Sequence, residues 1–388
     1  MRPKPLHDVR ILDLTRLLPG AMATMHLADM GADVIKIEDT GAGDYARTVG
    51  KTREGMSELF RLINRNKRGL RLDLKRPEGR AVFTRLARNA DVIVEGFRPG
   101  VMDKLGVGYA AISAVNPRIV YCSISGYGQT GPYRDRAGHD INYVGYAGVG
   151  DQIGAEGGPP ALANFQIADL LGGALTPIMG ILAALVDAKT AGKGRYVDVA
   201  MTEAVFAHSV FPLLDLIEQG RSPERGTSRL SGGMPCYNVY RTSDARYMAV
   251  GAIEPKFWTT LCEALGCPEL KSQHIVFGSR AAPVKARLAA IFASQTQAHW
   301  TEKLADLDAC VTPVLTPEEA VKNEHFLARG MIAEEDGQPR AALPVKFSEF
   351  EFEIGRSAPR PGEHSEEVLR EEGYTDAQIA ALREQKVI

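Results

Sequence analysis

The sequence predicts an α/β protein: a large domain on an open, mostly parallel sheet, then a smaller α+β domain. Three observations carry this. Short apolar, β-branched runs alternate with helical segments through the first third of the chain, the pattern of parallel strands joined by crossover helices. A stretch rich in Arg, Ser and Gly, Gly220 to Gly233, then breaks the pattern as a linker does. Finally, 388 residues exceed what one small core organises.

In order, Val9–Leu14 reads as a strand, Gly20–Met30 as a helix and Asp33–Glu38 as the next strand. Leu70–Leu74, Asp91–Glu95 and Ile119–Ser125 supply further strands, with helices such as Pro77–Arg88 between them. The result is a doubly wound, Rossmann-like sheet. Arg195–Ala200 adds a strand and Thr202–Gln219 a helix. Beyond the linker, Cys236–Arg241 and Tyr247–Gly251 read as a hairpin. Helices at Pro255–Gly266, Ala282–Ser294 and His299–Leu307 complete the smaller unit. Cys310–Leu315 leads back as a short strand, and Thr375 with Gln378 forms a capping box near the end. The expected division is residues 1–200 for the large domain, 201–233 for a linking helix and loop, 234–308 for the small domain, and 309–388 for a return to the large one.

Composition narrows the function. With 45% hydrophobic and 24% charged residues, the chain resembles an ordinary globular protein. A net charge of -2 argues against nucleic acid as a partner. The apolar run Ile178–Val186 falls short of the about 18 residues that span a bilayer, so no membrane partner is expected. Met1–Pro5 is basic without a signal-type apolar stretch, which suggests a cytoplasmic location. The five scattered cysteines suit reduced thiols. Cys262 and Cys267 are the closest pair, and nothing nearby completes a zinc site, so no metal is expected.

Gly126-Tyr-Gly128-Gln-Thr-Gly131 follows a strand and fits G-x-G-x-x-G. The dinucleotide fingerprint requires its glycines to open a helix, whereas Pro132–Asp135 continue as loop. A nicotinamide enzyme is therefore set aside. Basic positions offer a different ligand. Arg65 and Arg68 are as readily solvated charges as phosphate contacts, but Arg98, boxed between Gly96 and Pro99-Gly100 past the end of a strand, is placed where open α/β sheets bind ligands.

The most plausible proton-transfer group is His139, in a glycine-flanked loop beside Asp140. Taken alone, such a histidine is more often a surface or core residue. Asp169 precedes a strongly apolar helix. Its bland role is to cap that helix, and its chemical one is as a carboxylate near free N–H groups that stabilise developing negative charge.

In combination these segments resemble CoA-transferase family III, and within it the α-methylacyl-CoA racemase branch. The family pattern lies in Leu27–Glu38, Asn66–Lys75, Gly96–Gly100, Gly126–Pro132 and Gly192–Val199. The branch is carried by Gly138-His-Asp-Ile-Asn-Tyr143, Gly251–Pro255, Asp308–Val314 and Gly362–Glu367. The resemblance implies inversion at the α-carbon of a 2-methylacyl-CoA through an enolate, with His139 and Asp169 as the two proton-transfer groups and Glu254 orienting the histidine. Read by position alone, Glu254 is a residue opening a helix ahead of Pro255.

The resemblance further implies CoA contacts along Leu72, Asp73, Leu74 and Lys75, at Gly96, Phe97 and Arg98, and at Lys104. The thioester would lie against Gly138, Asp140, Ile141, Asn142 and Tyr143. CoA is then part of the substrate, no separate cofactor is implied, and the expected assembly is an interlocked homodimer. Two positions depart from the branch. Asp39 stands where related racemases carry arginine, so one phosphate contact is either missing or replaced, with Lys36 the candidate replacement. Ser231-Gly-Gly-Met-Pro235 replaces Asp-Gly-Gly-Ala-Pro.

The rival is a CoA-transferase in which Asp169 attacks a thioester covalently. A transferase has no use for a second base, so His139 favours the racemase. A silent CoA-binding protein would keep the cations without the acid–base set, which this chain has.

Overall fold

A computed structural model describes residues 2–388. Two compact units divide the chain. The first comprises the residues up to Val144, Phe165–Ala207 and Glu324–Ile388, and the second comprises Gly145–Asn164 and His208–Asn323.

The first unit is organised by a six-stranded sheet: β1 (Arg10–Leu14), β2 (Asp33–Glu38), β3 (Lys67–Arg71), β4 (Val92–Glu95), β5 (Val120–Ser125) and β6 (Tyr196–Ala200). Its order is β3-β2-β1-β4-β5-β6, with every neighbouring pair parallel. The central strands are mostly apolar, without a polar face, because both faces are covered; the charged exceptions Asp13 and Lys36 are themselves buried. Leu12 stands beside Ile35 on one side and Ile93 on the other, and none of the three is exposed. The strand order turns back between β1 and β4, and beyond the carboxyl ends at such a switch point an open sheet leaves a crevice.

Helix Pro77–Arg88 buries Val82, Phe83, Leu86 and Ala87, a helical stripe, against one face of the sheet. Val368, Leu369, Ile379 and Leu382, from helices Ser365–Glu371 and Asp376–Glu384, join the same core. The final residues therefore return to the large unit, and the Thr375–Gln378 capping box is present. Helix Leu18–Asp29 is buried almost all round.

The second unit has a three-stranded antiparallel sheet of β7 (Tyr237–Arg241), β8 (Tyr247–Gly251) and β9 (Val311–Pro313), with β8 in the middle. Its core gathers Trp258, Leu261, Cys262, Leu288, Phe292 and Trp300. Both indoles donate to carbonyls, Trp258 to Leu270 at 2.9 Å and Trp300 to Phe292 at 2.8 Å, so neither buried N–H is orphaned.

Several expectations are corrected. Residues 145–164 fall in the second unit, and β9 pairs with the small sheet, so the return begins at Glu324. The strand expected at Leu70–Leu74 runs from Lys67 to Arg71, because Leu72 and Leu74 turn into the core as loop residues. The helix expected over Thr202–Gln219 is two, Met201–Ala207 and Val210–Gln219. Ala168–Ala191 forms one continuous helix that is long and apolar enough to cross a membrane by length and composition, well beyond the short run Ile178–Val186. Arg65 and Arg68 are neither solvated nor available to a ligand. Arg65 clasps Asp29 with bonds of 2.8 to 3.3 Å, and Arg68 is held by Asp33, Glu367 and Glu371.

Candidate active site

The loops leaving β1, β4, β5 and β6 enclose a cavity of about 340 Å³ at the switch point. Its wall holds Thr15, Arg16, Gly96, Phe97, Arg98, Tyr127, Arg134, Arg136, Gly138, His139 and Tyr143. So many guanidinium groups on one concave surface make a site for an anionic ligand. On the other side of β1, the loops after β1, β2, β3 and β4 enclose a second cavity of about 420 Å³. Leu14, Ile37, Leu72, Leu74 and Leu105 give it an apolar wall, and Asp39, Tyr45, Asp73 and Lys75 a polar one. An apolar slot with a few polar groups suits a flat heteroaromatic ring.

His139 is exposed and begins helix Asp140–Tyr146. Its N–H donates to the Asn142 Oδ1 at 3.0 Å, and its carbonyl accepts from the Asn142 N–H at 2.8 Å. The Tyr143 hydroxyl donates to the Gly138 carbonyl at 2.5 Å. A Cβ on residue 138 would stand 2.7 Å from the Tyr143 ring, so the loop closes only over glycine.

Asp140 Oδ1 accepts from the backbone N–H of Ala168 at 2.7 Å and of Asp169 at 3.1 Å. The residue next to the histidine thus caps the helix that carries Asp169, which corrects the expectation that Asp169 caps it and that its N–H groups are free. The first turns, Ala168–Leu175, are wound as π-helix, a form concentrated at functional sites. Gly173 lets them press against the first turn of helix Leu18–Asp29, since a Cβ there would meet the Pro19 Cβ at 2.2 Å. Asp169 is half-buried and its carboxyl is pushed up to about 6, by burial first and by the Asp140 charge second, with His139 acting in the opposite direction. Such a carboxyl exchanges a proton near neutral pH.

The loop after β1 is fixed from below by buried charges. Asp13 accepts from the Thr15 N–H and hydroxyl at 2.9 and 2.6 Å, from the Thr24 hydroxyl at 2.7 Å and from the Lys67 ammonium at 3.0 Å. Lys36 donates to the Thr15 carbonyl at 3.0 Å and pairs with Asp44 at 2.8 Å, with neither side chain exposed. Lys36 therefore cannot meet a phosphate, which corrects its expected role. Asp39 turns its own loop, with Oδ1 accepting from Gly41 N–H at 2.8 Å and Oδ2 from Arg16 at 2.7 Å.

Of the residues singled out by sequence, Gly96, Phe97, Arg98, Gly138, His139 and Tyr143 line the first cavity, and Leu72, Asp73, Leu74, Lys75 and Phe97 the second. Asp140 and Asn142 support the histidine and aspartate from behind, whereas Ile141 is exposed and Lys104 lines neither cavity. Glu254 belongs to the second unit, where it is exposed and stands at the N-cap position of helix Pro255–Ala264 without a side-chain capping bond. The sequence reading missed Arg16, Arg134, Arg136 and Glu95. Glu95, buried at the end of β4, accepts from the Phe97 N–H at 2.8 Å, and its carboxyl is pushed up to about 7, chiefly by burial. Arg16 had a signal in the sequence, its place just past the first strand.

The pattern described as CoA-transferase family III matches residues 6–365. The chain belongs to this family. Among the relatives of this family III chain, human alpha-methylacyl-CoA racemase is 38% identical over 99% of the chain and 97% of its own length. Human succinyl-CoA:glutarate CoA-transferase is 33% identical over 98% and 89%. Acetyl-CoA:oxalate CoA-transferase of Acetobacter aceti is 33% identical over 90% and 91%. Among solved structures, a CAIB/BAIF family protein from Brucella suis superimposes with a TM-score of 0.83 at 29% identity, covering 96% of this chain and all of that one. As a family III enzyme, the chain has relatives that isomerise CoA thioesters and relatives that transfer CoA.

Proposed function

We propose that this enzyme inverts the α-carbon of a 2-methylacyl-CoA by moving its proton between His139 and Asp169 through an enolate. An α-proton beside a thioester is weakly acidic, so its removal needs a base on one face, an acid on the other, and charge stabilisation at the enolate oxygen. The observation that carries the reading is the joint frame of the two groups: His139 opens onto the first cavity, and its neighbour Asp140 holds the backbone of Asp169. With the helix-start N–H groups occupied by Asp140, the enolate charge falls to the guanidinium groups of that cavity. Glu254 is proposed to orient the histidine, and a homodimer is the proposed assembly. The identity to human alpha-methylacyl-CoA racemase supports the choice.

The second reading is CoA transfer with Asp169 as nucleophile, favoured by the transferases among the relatives. Incubation of one enantiomer of a 2-methylacyl-CoA in deuterated water separates the two. Racemisation gives α-deuteration with loss of optical purity. Transfer of CoA to an added carboxylic acid without α-exchange contradicts it. In His139→Ala, exchange from one enantiomer should fall by about 100-fold or more relative to the other, and equal losses in both argue against two bases.

A further inference from the structure

The two cavities share two lining residues, Arg16 and Phe97, and Arg16 is the one that carries charge. Its guanidinium lies 5.1 Å from the centre of the Phe97 ring and 5.3 Å from that of Tyr45, with Nη2 on Asp39 Oδ2 at 2.7 Å. The backbone on both sides of it is held. Thr15 is bound by Asp13 and Lys36, and Leu17 stands at φ 61°, ψ -154°, a conformation that ordinarily only glycine adopts. The Leu17 N–H donates to Asp44 Oδ1 at 2.9 Å, and Asp44 is in turn the partner of Lys36. Strain kept in place by a buried ion pair fixes where the Arg16 side chain leaves the backbone.

We propose that Arg16 anchors the diphosphate of a CoA thioester whose adenosine occupies the second cavity and whose acyl end reaches His139. This rests on the reading of the site as one for a CoA thioester, and deepens it. In CoA the diphosphate is the link between adenosine and pantetheine, so a ligand lying across both cavities puts its diphosphate at their boundary. Arg16 is the cation on that boundary. With one edge on Asp39 and its faces beside two rings, the guanidinium keeps further N–H donors for phosphate oxygens, which it can engage in pairs. Asp39 thus aligns the arginine rather than replacing it.

The test is a calorimetric titration of wild type, Arg16→Ala and Arg16→Lys with CoA, 3′-dephospho-CoA and pantetheine. Arg16→Ala should bind CoA and 3′-dephospho-CoA about 10- to 100-fold more weakly than wild type and pantetheine equally well. Arg16→Lys, which keeps the charge but not the fork, should fall between. Equal loss for all three ligands makes Arg16 a structural residue and overturns the proposal. So does a loss for CoA that spares 3′-dephospho-CoA, which would place the guanidinium on the 3′-phosphate. Wild type that binds pantetheine but gains nothing from the nucleotide refutes the anchor alone, whereas wild type that binds none of the three refutes the CoA site as well.

Discussion

A carboxyl pushed up to about 6 is held at a cost to the fold. Unfolded, Asp169 would titrate near 3.8; folded, it keeps its proton to about 6, because burial and Asp140 disfavour its charge. The folded state therefore loses stability as pH rises from 3.8 to about 6, and the loss is fully developed above that. Asp169→Asn should raise the thermal midpoint at pH 8, leave it unchanged near pH 4, and abolish α-proton exchange; a lower midpoint at pH 8 contradicts the account. The segments around His139 and Asp169 single both out in the sequence, and His139 lines the first cavity. The Asp140 cap was not legible there, because a hydrogen bond from residue 140 to the backbone of 168 and 169 leaves no trace in local spacing. Arg16 was hidden for another reason. A single arginine after a strand is ordinary until the fold places it at the boundary of two cavities.

Among the elements, the loop after β1 depends most on what lies beneath it. Burial alone would strip the charge from Lys36, but the carboxylates of Asp13, Asp44 and Glu38 more than reverse this. Removing one member of such a set strands the others. Lys36→Met should destabilise the protein by about 3–5 kcal/mol in equilibrium denaturation, whereas the exposed pair Lys256–Asp308 should contribute at most about 1 kcal/mol. A loss below about 1 kcal/mol for Lys36→Met would make the network dispensable. The sequence showed these strands by their apolar runs but missed the start of β3, since the charged Lys67 and Arg68 do not read as buried strand residues until their partners are known. β3 was misplaced for that reason: its Lys67 and Arg68 are charged and buried.

At the scale of the whole molecule, the doubly wound sheet was legible because both faces are covered and the central strands are mostly apolar, Asp13 and Lys36 being buried exceptions. The division into units was less so, because the linker composition marked Gly220 while the second unit already begins at His208 and borrows 145–164. One feature of the first unit suits self-association: Leu175, Met179 and Val186 form an exposed apolar stripe along helix Ala168–Ala191, with Val186 66% exposed. If the protein is the proposed homodimer, sedimentation should give twice the 42.1 kDa chain mass at micromolar concentration. Met179→Asp should shift it toward monomer, and a wild type that sediments as a single chain refutes the assembly. The link from Asp140 to the helix of Asp169 has a consequence of its own. Because Asp140 ties the backbone beside the histidine to the backbone of Asp169, the proposed pair would be carried as the two jaws of one caliper rather than as independent fingers.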